Sequence, residues 1–252
     1  TNTVPVSNYR APGGTPGTYV LERIIDMAAD DLGIDPAEIR RRNLIPPEAM
    51  PYKLPIGGGY DCGEFEKVLD KALAKSDYAN VAARKADAKA RGKLHGVGIS
   101  SSVDPSAGPS PETAELRFDP GGNATILAGS TAGGQSHETI YKQIVSDRLG
   151  MEAESLRVIE GDTRALSWGT GTGGARTATI AGTAIYKAVD KVIEKTTRIA
   201  AHLLESAAED IEFKDGKFTV AGTDREVSFK EVTETAFSPG KLPPDIEIGL
   251  YE

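Results

Sequence analysis

The first fifty residues combine turn-rich loops with apolar residues at helical spacing. The loop Tyr9-Arg-Ala-Pro-Gly-Gly precedes a predicted amphipathic helix with Thr15 as its N-cap and Pro16 as its first residue. Its apolar face comprises Leu21, Ile24, Ile25, Ala28 and Leu32, and Gly33 ends it. The start signal Asp35-Pro-Ala-Glu38 then predicts a short basic helix. We expect its arginines, Arg40, Arg41 and Arg42, on a solvated or subunit-facing surface.

The pattern changes between residues 46 and 63, where four prolines and Gly57-Gly-Gly indicate a linker. Two helices are predicted beyond it, at about Glu64 to Lys75 and Tyr78 to Arg91. The second has a thin apolar face and is expected on the outside of the body. From Leu94 the apolar period becomes two, which predicts strands over residues 94–103, 112–118 and 123–129.

The second half of the chain predicts an α+β fold in which a mixed β-sheet packs against helices. A helix to about Leu149 and a strand from Leu156 to Ile159 precede a glycine-dense loop over residues 161–176. One long helix is predicted over about residues 177–207. Its buried stripe comprises Ile185, Val189, Val192, Ile193, Ile199, Ala200 and Leu203. A hairpin at Lys214-Asp-Gly and a short helix capped by Ser228 follow.

Composition narrows the function classes. The 252 residues carry 29 Lys and Arg against 37 Asp and Glu, a net charge of −8, which disfavours nucleic-acid and anionic-membrane binding. No apolar stretch approaches the ~20 residues of a membrane span. The single cysteine, Cys62, excludes an internal disulfide framework, is expected to be buried, and is most compatible with the cytoplasm. The start at Thr1 without an initiator Met leads us to expect an excised fragment.

The segment Gly169-Thr-Gly-Thr-Gly-Gly-Ala-Arg-Thr177 predicts an anion site. Its glycines leave backbone N–H groups exposed just where the long helix begins, and a helix N-terminus carries partial positive charge. Arg176, Thr177 and Thr179 offer additional side-chain donors. The segment is not a P-loop, because no Gly-Lys-Ser/Thr follows, and it matches a dinucleotide fingerprint poorly. A plain glycine-rich turn remains the alternative.

Two further glycine-led loops carry candidate chemistry. Gln135, in Gly134-Gln-Ser-His-Glu138, offers a two-way amide for a carbonyl, an oxo group or a pterin edge, while a simple N-cap with exposed polar residues is the alternative. His137 and Glu138 are adjacent and so make a poor metal pair, and His95 and His202 are expected to be structural or exposed. In the first loop, Arg10 could steady an oxyanion or a carboxylate. No metal-ligand set is predicted.

Several motifs in one order carry a resemblance to a known family. They are Tyr9-Arg-Ala-Pro-Gly-Gly, Leu21-Glu-Arg-Ile, Asp35-Pro-Ala-Glu-Ile-Arg-Arg-Arg-Asn-Leu44, Gly134-Gln-Ser-His-Glu with Gln143-Ile-Val, Glu160-Gly-Asp-Thr163 and Gly171-Thr-Gly-Gly-Ala-Arg-Thr-Ala. Together they resemble the molybdenum-binding large subunit of the xanthine dehydrogenase, aldehyde oxidase and carbon monoxide dehydrogenase family. Their co-occurrence over nearly the whole chain is far more specific than any one motif.

The resemblance implies part of a hydroxylase that oxidises a C–H bond of an aldehyde or N-heterocycle with water as the oxygen source. It implies a molybdenum–molybdopterin cytosine dinucleotide in the parent enzyme, together with iron–sulfur and FAD subunits or domains and the remainder of the large subunit. Its implied domains are the end of a first cofactor-binding domain (1–50), a linker with outer helices (51–93) and part of a second cofactor-binding domain (94–252).

The resemblance also assigns roles to individual residues. Arg10 and Gln135 are the expected catalytic residues, and Pro12 is expected at the substrate. The expected cofactor contacts are Tyr9, Ala11, Gly134, Gln135, Ser136, Gly173, Gly174, Ala175, Arg176, Thr177 and Thr179. The catalytic glutamate of the family would follow Glu252, so the chain alone is expected to be inactive and without bound cofactor.

Three departures from the family pattern bear on the subclass. Ala11 stands where the copper-containing carbon monoxide enzymes have a Cys, so carbon monoxide oxidation is not expected. Pro12 argues against the aromatic pocket of the purine-oxidising members, and Ser136 replaces the usual Gly after Gln135. Two other hypotheses stay open, namely a phosphate- or nucleotide-binding module without redox chemistry and a non-catalytic assembly subunit.

Overall fold

The computed structural model describes residues 2–3, 11–103 and 110–252. The chain divides into two compact units, Thr1–Asp104 and Pro105–Glu252. The predicted α+β class is confirmed, since both helices and mixed sheets form the architecture. Within the described residues, no helix combines the length and the apolar character that crossing a membrane requires.

In its described part, the first unit contains four α-helices and one small β-ribbon. The helices are α1 (Gly14–Leu32), α2 (Pro36–Asn43), α3 (Phe65–Lys75) and α4 (Val81–Ala90), and the ribbon pairs β1 (Tyr52–Lys53) with β2 (Gly59–Tyr60). Helix α1 begins one residue before the predicted N-cap Thr15, with Gly13 in the left-handed region as its cap. Asp35 caps α2 as predicted, because its Oδ1 accepts hydrogen bonds from the amides of Ala37 and Glu38.

The apolar face predicted for α1 is largely exposed. Leu21 and Ile24 are each 57% exposed and Leu32 is 66% exposed, whereas the buried residues of α1 are Glu22 and Ala29. On the side of Glu22, the neighbouring helix α2 contributes a buried arginine that is hydrogen-bonded to α1. The buried side of α1 therefore carries a charged contact and not the predicted apolar stripe.

This arginine is Arg40, and the prediction that it lies on a solvated or subunit-facing surface is wrong. Its Nε donates to Glu22 Oε2 at 2.8 Å, and its Nη2 donates to Asp26 Oδ1 at 2.9 Å and to the carbonyl of Ile99 at 3.0 Å. The side chain is only 2% exposed. The two carboxylates lie on the preceding helix, and local sequence therefore does not reveal that they surround this guanidinium.

Two further expectations for the first unit fail, while the two helices predicted after the linker are confirmed as α3 and α4. Residues 94–103 form no strand, because their alternating pattern finds no pairing partner among the described residues. Cys62 is exposed rather than buried, since it lies in the turn between β2 and α3. His95 and His202 are both exposed, as expected.

The second unit is built on a mixed three-stranded sheet. Its strands are β3 (Ala114–Phe118), β4 (Ala124–Ala128) and β5 (Leu156–Glu160), in the order β3-β4-β5. Strand β4 pairs antiparallel with β3 and parallel with β5. Helix α5 (His137–Leu149) makes the crossover between the two parallel strands. All three strands were predicted, β3 and β4 from period two, and their ends differ from the predicted ends by at most two residues.

A long helix and a second sheet complete this unit. Thr177–Ala181 form a π-helical turn that continues into α6 (Gly182–Leu203), so the predicted helix begins as expected and ends four residues earlier. The predicted hairpin is β6 (Ile211–Lys214) and β7 (Lys217–Val220), to which an unpredicted strand β8 (Glu226–Ser228) is added. Ser228 caps α7 (Phe229–Ala236) by accepting a hydrogen bond from the amide of Glu231.

The hydrophobic core lies between the β3-β4-β5 sheet and the helices α5, α6 and α7. The predicted stripe of α6 faces it, with Ile185, Val189, Val192 and Ile199 fully buried. Facing them are fully buried residues of the sheet, Leu116 and Ile126. This packing fixes the ends of β4 and β5, and hence the loops that follow them.

Candidate functional site

Two of the predicted loops leave the same edge of the sheet. Because β4 and β5 are parallel, with Ala128 opposite Glu160, their carboxyl ends meet at one edge. The loop over residues 129–136 follows β4 and leads into α5, and the loop over residues 161–176 follows β5 and leads into the long helix. Ligand sites of parallel sheets commonly lie at this edge.

The two loops contact each other directly. The amide of Thr131 donates to Thr172 Oγ1 at 3.1 Å, and the amide of Gly171 donates to the carbonyl of Gly129 at 3.2 Å. Gly129 and Gly169 lie back to back, because a Cβ built on Gly129 would come within 2.6 Å of Gly169 Cα. Glycine at both positions therefore allows the two backbones to meet.

The second loop exposes a run of backbone donors just before the long helix. Among the described residues, no acceptor is hydrogen-bonded to the amides of Gly173, Gly174 and Ala175, and all three residues are exposed. Gly174 and Ala175 have positive φ angles of 58° and 57°. For an alanine that conformation costs free energy, so the surrounding fold holds the loop in a strained shape.

Arg176 does not extend toward the exposed side of this loop. Its Nη1 donates to Glu112 Oε2 at 2.8 Å and to the carbonyl of Gly171, and its Nη2 donates to the carbonyls of Ser110 and Pro111 at 3.0 and 2.7 Å. Its Nε is buried and has no hydrogen-bond partner among the described residues. The side-chain donor expected from the sequence is therefore turned inward.

The two threonines at the start of the helix are also engaged locally. Thr177 is buried, and its Oγ1 donates to Thr172 Oγ1 at 3.2 Å. Thr179 is exposed, and its Oγ1 lies 3.4 Å from the carbonyls of Ala175 and Arg176. These are weak bonds of a hydroxyl that can rotate, so Thr179 keeps the capacity to bind a ligand at the helix start.

Gln135 lies exposed in the first loop, and its side chain folds back onto the backbone. Its Oε1 accepts a hydrogen bond from the amide of Gly133 at 2.5 Å, which leaves Nε2 without a partner among the described residues. Gly134 and Ser136 have φ angles of 96° and 61°. Ser136 is the N-cap of α5, but its hydroxyl makes no capping bond. Ser136 thus occupies the N-cap position that the simple N-cap alternative predicts, but its side chain does not cap the helix.

A buried polar network, which the sequence did not predict, joins residues at the ends of these loops. Glu160 Oε1 lies 2.9 Å from His137 Nδ1 and also accepts a hydrogen bond from Ser130 Oγ, which lies 2.6 Å from the hydroxyl of Tyr141. The residues belong to the end of β5, the start of α5 and the loop after β4. The only sequence signal was their position at the ends of elements. The network fastens both ends of the Gln135 loop.

Burial raises the pKa of the Tyr141 phenol to about 12. The folded protein therefore holds the proton more tightly than the unfolded chain, whose tyrosine titrates near pH 10. Below pH 10 this contribution to stability is complete, and it is lost as the pH rises from 10 through 12. We expect urea unfolding to show this loss in the wild type and a smaller one in Tyr141→Phe. Equal alkaline slopes in both proteins would contradict the assignment.

The remaining predicted site residues lie near the start of the chain. Tyr9 and Arg10 lie outside the described residues. Ala11 and Pro12 belong to the first unit and are exposed, and Ala11 has a φ of 52°. Gly134, Gln135 and Ser136 and the residues 173–179 all belong to the second unit, on the two loops that meet at Thr131 and Thr172.

The second unit fits a phosphate-bearing group better than a metal ion bound by side chains. The amides of Gly173, Gly174 and Ala175 belong to exposed residues and have no acceptor among the described residues, and a Cβ built on Gly173 would meet no protein atom within 4 Å. Among the described residues, no group of three His, Cys, Asp or Glu side chains is placed to hold a metal ion.

Comparison with known families supports this chemistry. Two family models, both described as molybdopterin cofactor-binding domains, match residues 1–44 and residues 71–250. The carbon monoxide dehydrogenase large chain of Hydrogenophaga pseudoflava is 36% identical over 266 residues, which cover 96% of this chain and 33% of that protein. The nicotine 6-hydroxylase large subunit of Paenarthrobacter nicotinovorans is 34% identical over 265 residues, covering 99% of this chain and 32% of that protein.

A solved structure shows the same fold. Quinoline 2-oxidoreductase from Pseudomonas putida 86 superposes with a TM-score of 0.86 at 32% identity, over 99% of this chain and 34% of that one. The chain therefore spans about a third of the length of the relatives it matches.

Proposed function

This chain belongs to the molybdopterin cofactor-binding domain family, and from that premise we propose that it forms part of the large subunit of a molybdenum hydroxylase. Its second unit would hold the phosphates of a molybdopterin dinucleotide. The observation that carries the proposal is the exposed row of amides at Gly173, Gly174 and Ala175, beside the loop that contains Gln135.

When bound, such a cofactor supplies the oxidation of a C–H bond with water as the oxygen source. The residues of this chain bind and orient it. The amides of Gly173 to Ala175 and the hydroxyl of Thr179 donate to phosphate oxygens at the start of the long helix, where the helix dipole adds favourable charge. The free Nε2 of Gln135 donates to a pterin edge or an oxo group.

We further propose an N-heterocycle as the substrate class, with an aldehyde as the alternative. Two relatives are named for action on nicotine and quinoline, which are N-heterocycles. Ala11 offers no thiolate, so the copper chemistry of carbon monoxide oxidation has no ligand at that position. Arg10 and Pro12 would lie at the substrate, and Tyr9 and Ala11 would contact the cofactor.

The proposal extends to the form of the cofactor and the assembly. We propose the cytosine dinucleotide form, and electron transfer to iron–sulfur and FAD subunits or domains, because relatives of this chain are named as large chains or subunits of larger enzymes. A cytoplasmic location completes the proposal, since one exposed cysteine provides no disulfide framework.

A pair of glycine variants tests phosphate binding by the loop. In Gly173→Ala the new methyl group meets no protein atom and the backbone angle is ordinary, so the free energy of unfolding stays within about 0.5 kcal/mol of wild type. The same methyl group occupies the space beside the amides. We therefore expect molybdenum and nucleotide content of the purified protein to fall about tenfold, which corresponds to about 1.4 kcal/mol of binding.

Gly240→Ala is the matched control, because a Cβ at Gly240 also meets open space and lies in a turn far along the chain from the loops. This variant should retain both cofactor and stability. Full cofactor content in Gly173→Ala would refute the proposed phosphate site.

A further inference from the structure

One buried carboxylate is hydrogen-bonded to the loop over residues 161–176. The Glu112 side chain is fully buried, although no sequence signal marks it. Its Oε1 accepts from the amide of Thr113 at 3.1 Å, and both of its oxygens lie 3.3 Å from the amide of Thr170. Oε2 also accepts from Arg176 Nη1 at 2.8 Å. Glu112 therefore holds both ends of the segment 170–176, Thr170 at one end and Arg176 at the other.

Arg176 holds the same segment through its own hydrogen bonds. Four hydrogen bonds leave its two terminal nitrogens, toward Glu112 and toward the carbonyls of Gly171, Ser110 and Pro111. The only remaining donor is Nε, which is buried. A phosphate oxygen approaching the exposed amides finds no donor of this guanidinium on its side of the loop.

We propose that Glu112 and Arg176 form a buried clamp that sets the shape of residues 170–176, and that Arg176 is a positioning residue and not a direct phosphate ligand. The inference rests on the proposed function, because the shape matters through the ligand that the loop holds. It changes the role expected for Arg176 from the sequence and assigns one to Glu112.

The physical reason lies in the strained loop between the two fixed points. Gly174 and Ala175 both have positive φ angles, and such a conformation at an alanine persists only when the surroundings enforce it. The planar guanidinium of an arginine holds its donors in fixed positions, and a flexible lysine side chain cannot reproduce that geometry. The three exposed amides are thus expected to change their arrangement once either partner of the clamp is changed.

The test compares Glu112→Gln, Arg176→Lys and the control Arg164→Gln in the whole protein that carries this chain. Arg164 lies in the same loop, but its ion pair with Asp162 is exposed. The clamp predicts that Glu112→Gln and Arg176→Lys lose molybdenum and nucleotide to a similar extent, about tenfold, and that Arg164→Gln retains both. A direct phosphate ligand predicts instead that Arg176→Lys keeps most of the cofactor and that Glu112→Gln changes little.

Hydrogen exchange of the chain provides the readout that does not depend on cofactor. In Glu112→Gln and Arg176→Lys, the hydrogen-bonded amides of Thr170, Gly171 and Arg176 should exchange about tenfold faster while those of α6 keep their protection. Unchanged loop exchange in both variants overturns the clamp. Should Glu112→Gln fail to fold, Glu112→Asp keeps the charge but shortens the reach, and it must show the same selective loss of loop protection and cofactor.

These outcomes separate the clamp from the proposed function. A wild-type protein without molybdenum refutes the proposed function. In that case, hydrogen exchange of the loop amides still tests whether the clamp exists. A wild type that holds cofactor, with Glu112→Gln holding as much, refutes the clamp and leaves the proposed function standing.

Discussion

Replacing Gly129 with alanine is expected to separate the two loops and remove cofactor binding. A Cβ at Gly129 would lie 2.6 Å from Gly169 Cα and would also meet the carboxylate of Glu112. Gly169 Cα is a backbone atom, so no change of side-chain rotamer relieves that contact. We expect the free energy of unfolding to fall by about 3 kcal/mol, at the upper end of the usual cost of overpacking. Urea unfolding and metal analysis of the purified protein measure the two effects.

Gly240→Ala again provides the control, because the same chemical change there meets no neighbour. If Gly129→Ala kept wild-type stability together with wild-type cofactor content, the close approach of the two loops would not be the arrangement in solution.

The second large effect is expected in the first unit, from Glu22→Gln. This change leaves the 2%-exposed guanidinium of Arg40 with one charged partner, Asp26, in place of two. Removing a partner of a buried ion pair typically costs several kcal/mol, because the remaining charge stays away from water. We expect a loss of about 3 kcal/mol in the free energy of unfolding of this unit, measured by urea unfolding.

Glu38→Gln is the matched control. Glu38 pairs with Arg42 at 2.9 Å, but both side chains are exposed, so water replaces the lost partner and the effect on stability should be far smaller. Equal losses in the two variants would mean that Arg40 is not held in a water-excluded site.

The elements of the fold were predictable where periodicity reflects the core. The stripe of α6 and the strands β3, β4 and β5 bury the residues that the pattern selected. Residues 94–103 show the limit of this reasoning, because alternation describes a strand's two faces and not its hydrogen-bonding partner. The exposed face of α1 shows the same limit for helices, since periodicity identifies an apolar face without identifying what covers it.

The candidate site was predictable as loops and not as side-chain contacts. Glycine spacing indicated exposed amides at 173–175, and the structure has them. Arg176 was expected to face a ligand, yet it is bonded to Glu112, 64 positions away along the chain. His137 and Glu160 are similarly joined only by the crossover of α5 between parallel strands. Long-range partners of buried charges depend on the tertiary fold and leave no local pattern.

The most direct test of the central claim is the molybdenum and nucleotide content of the protein that carries this chain, purified from the cells that make it. We predict molybdenum bound together with a pterin, and release of a cytosine nucleotide on acid hydrolysis. A purified, folded protein that contains neither molybdenum nor a pterin would contradict the account.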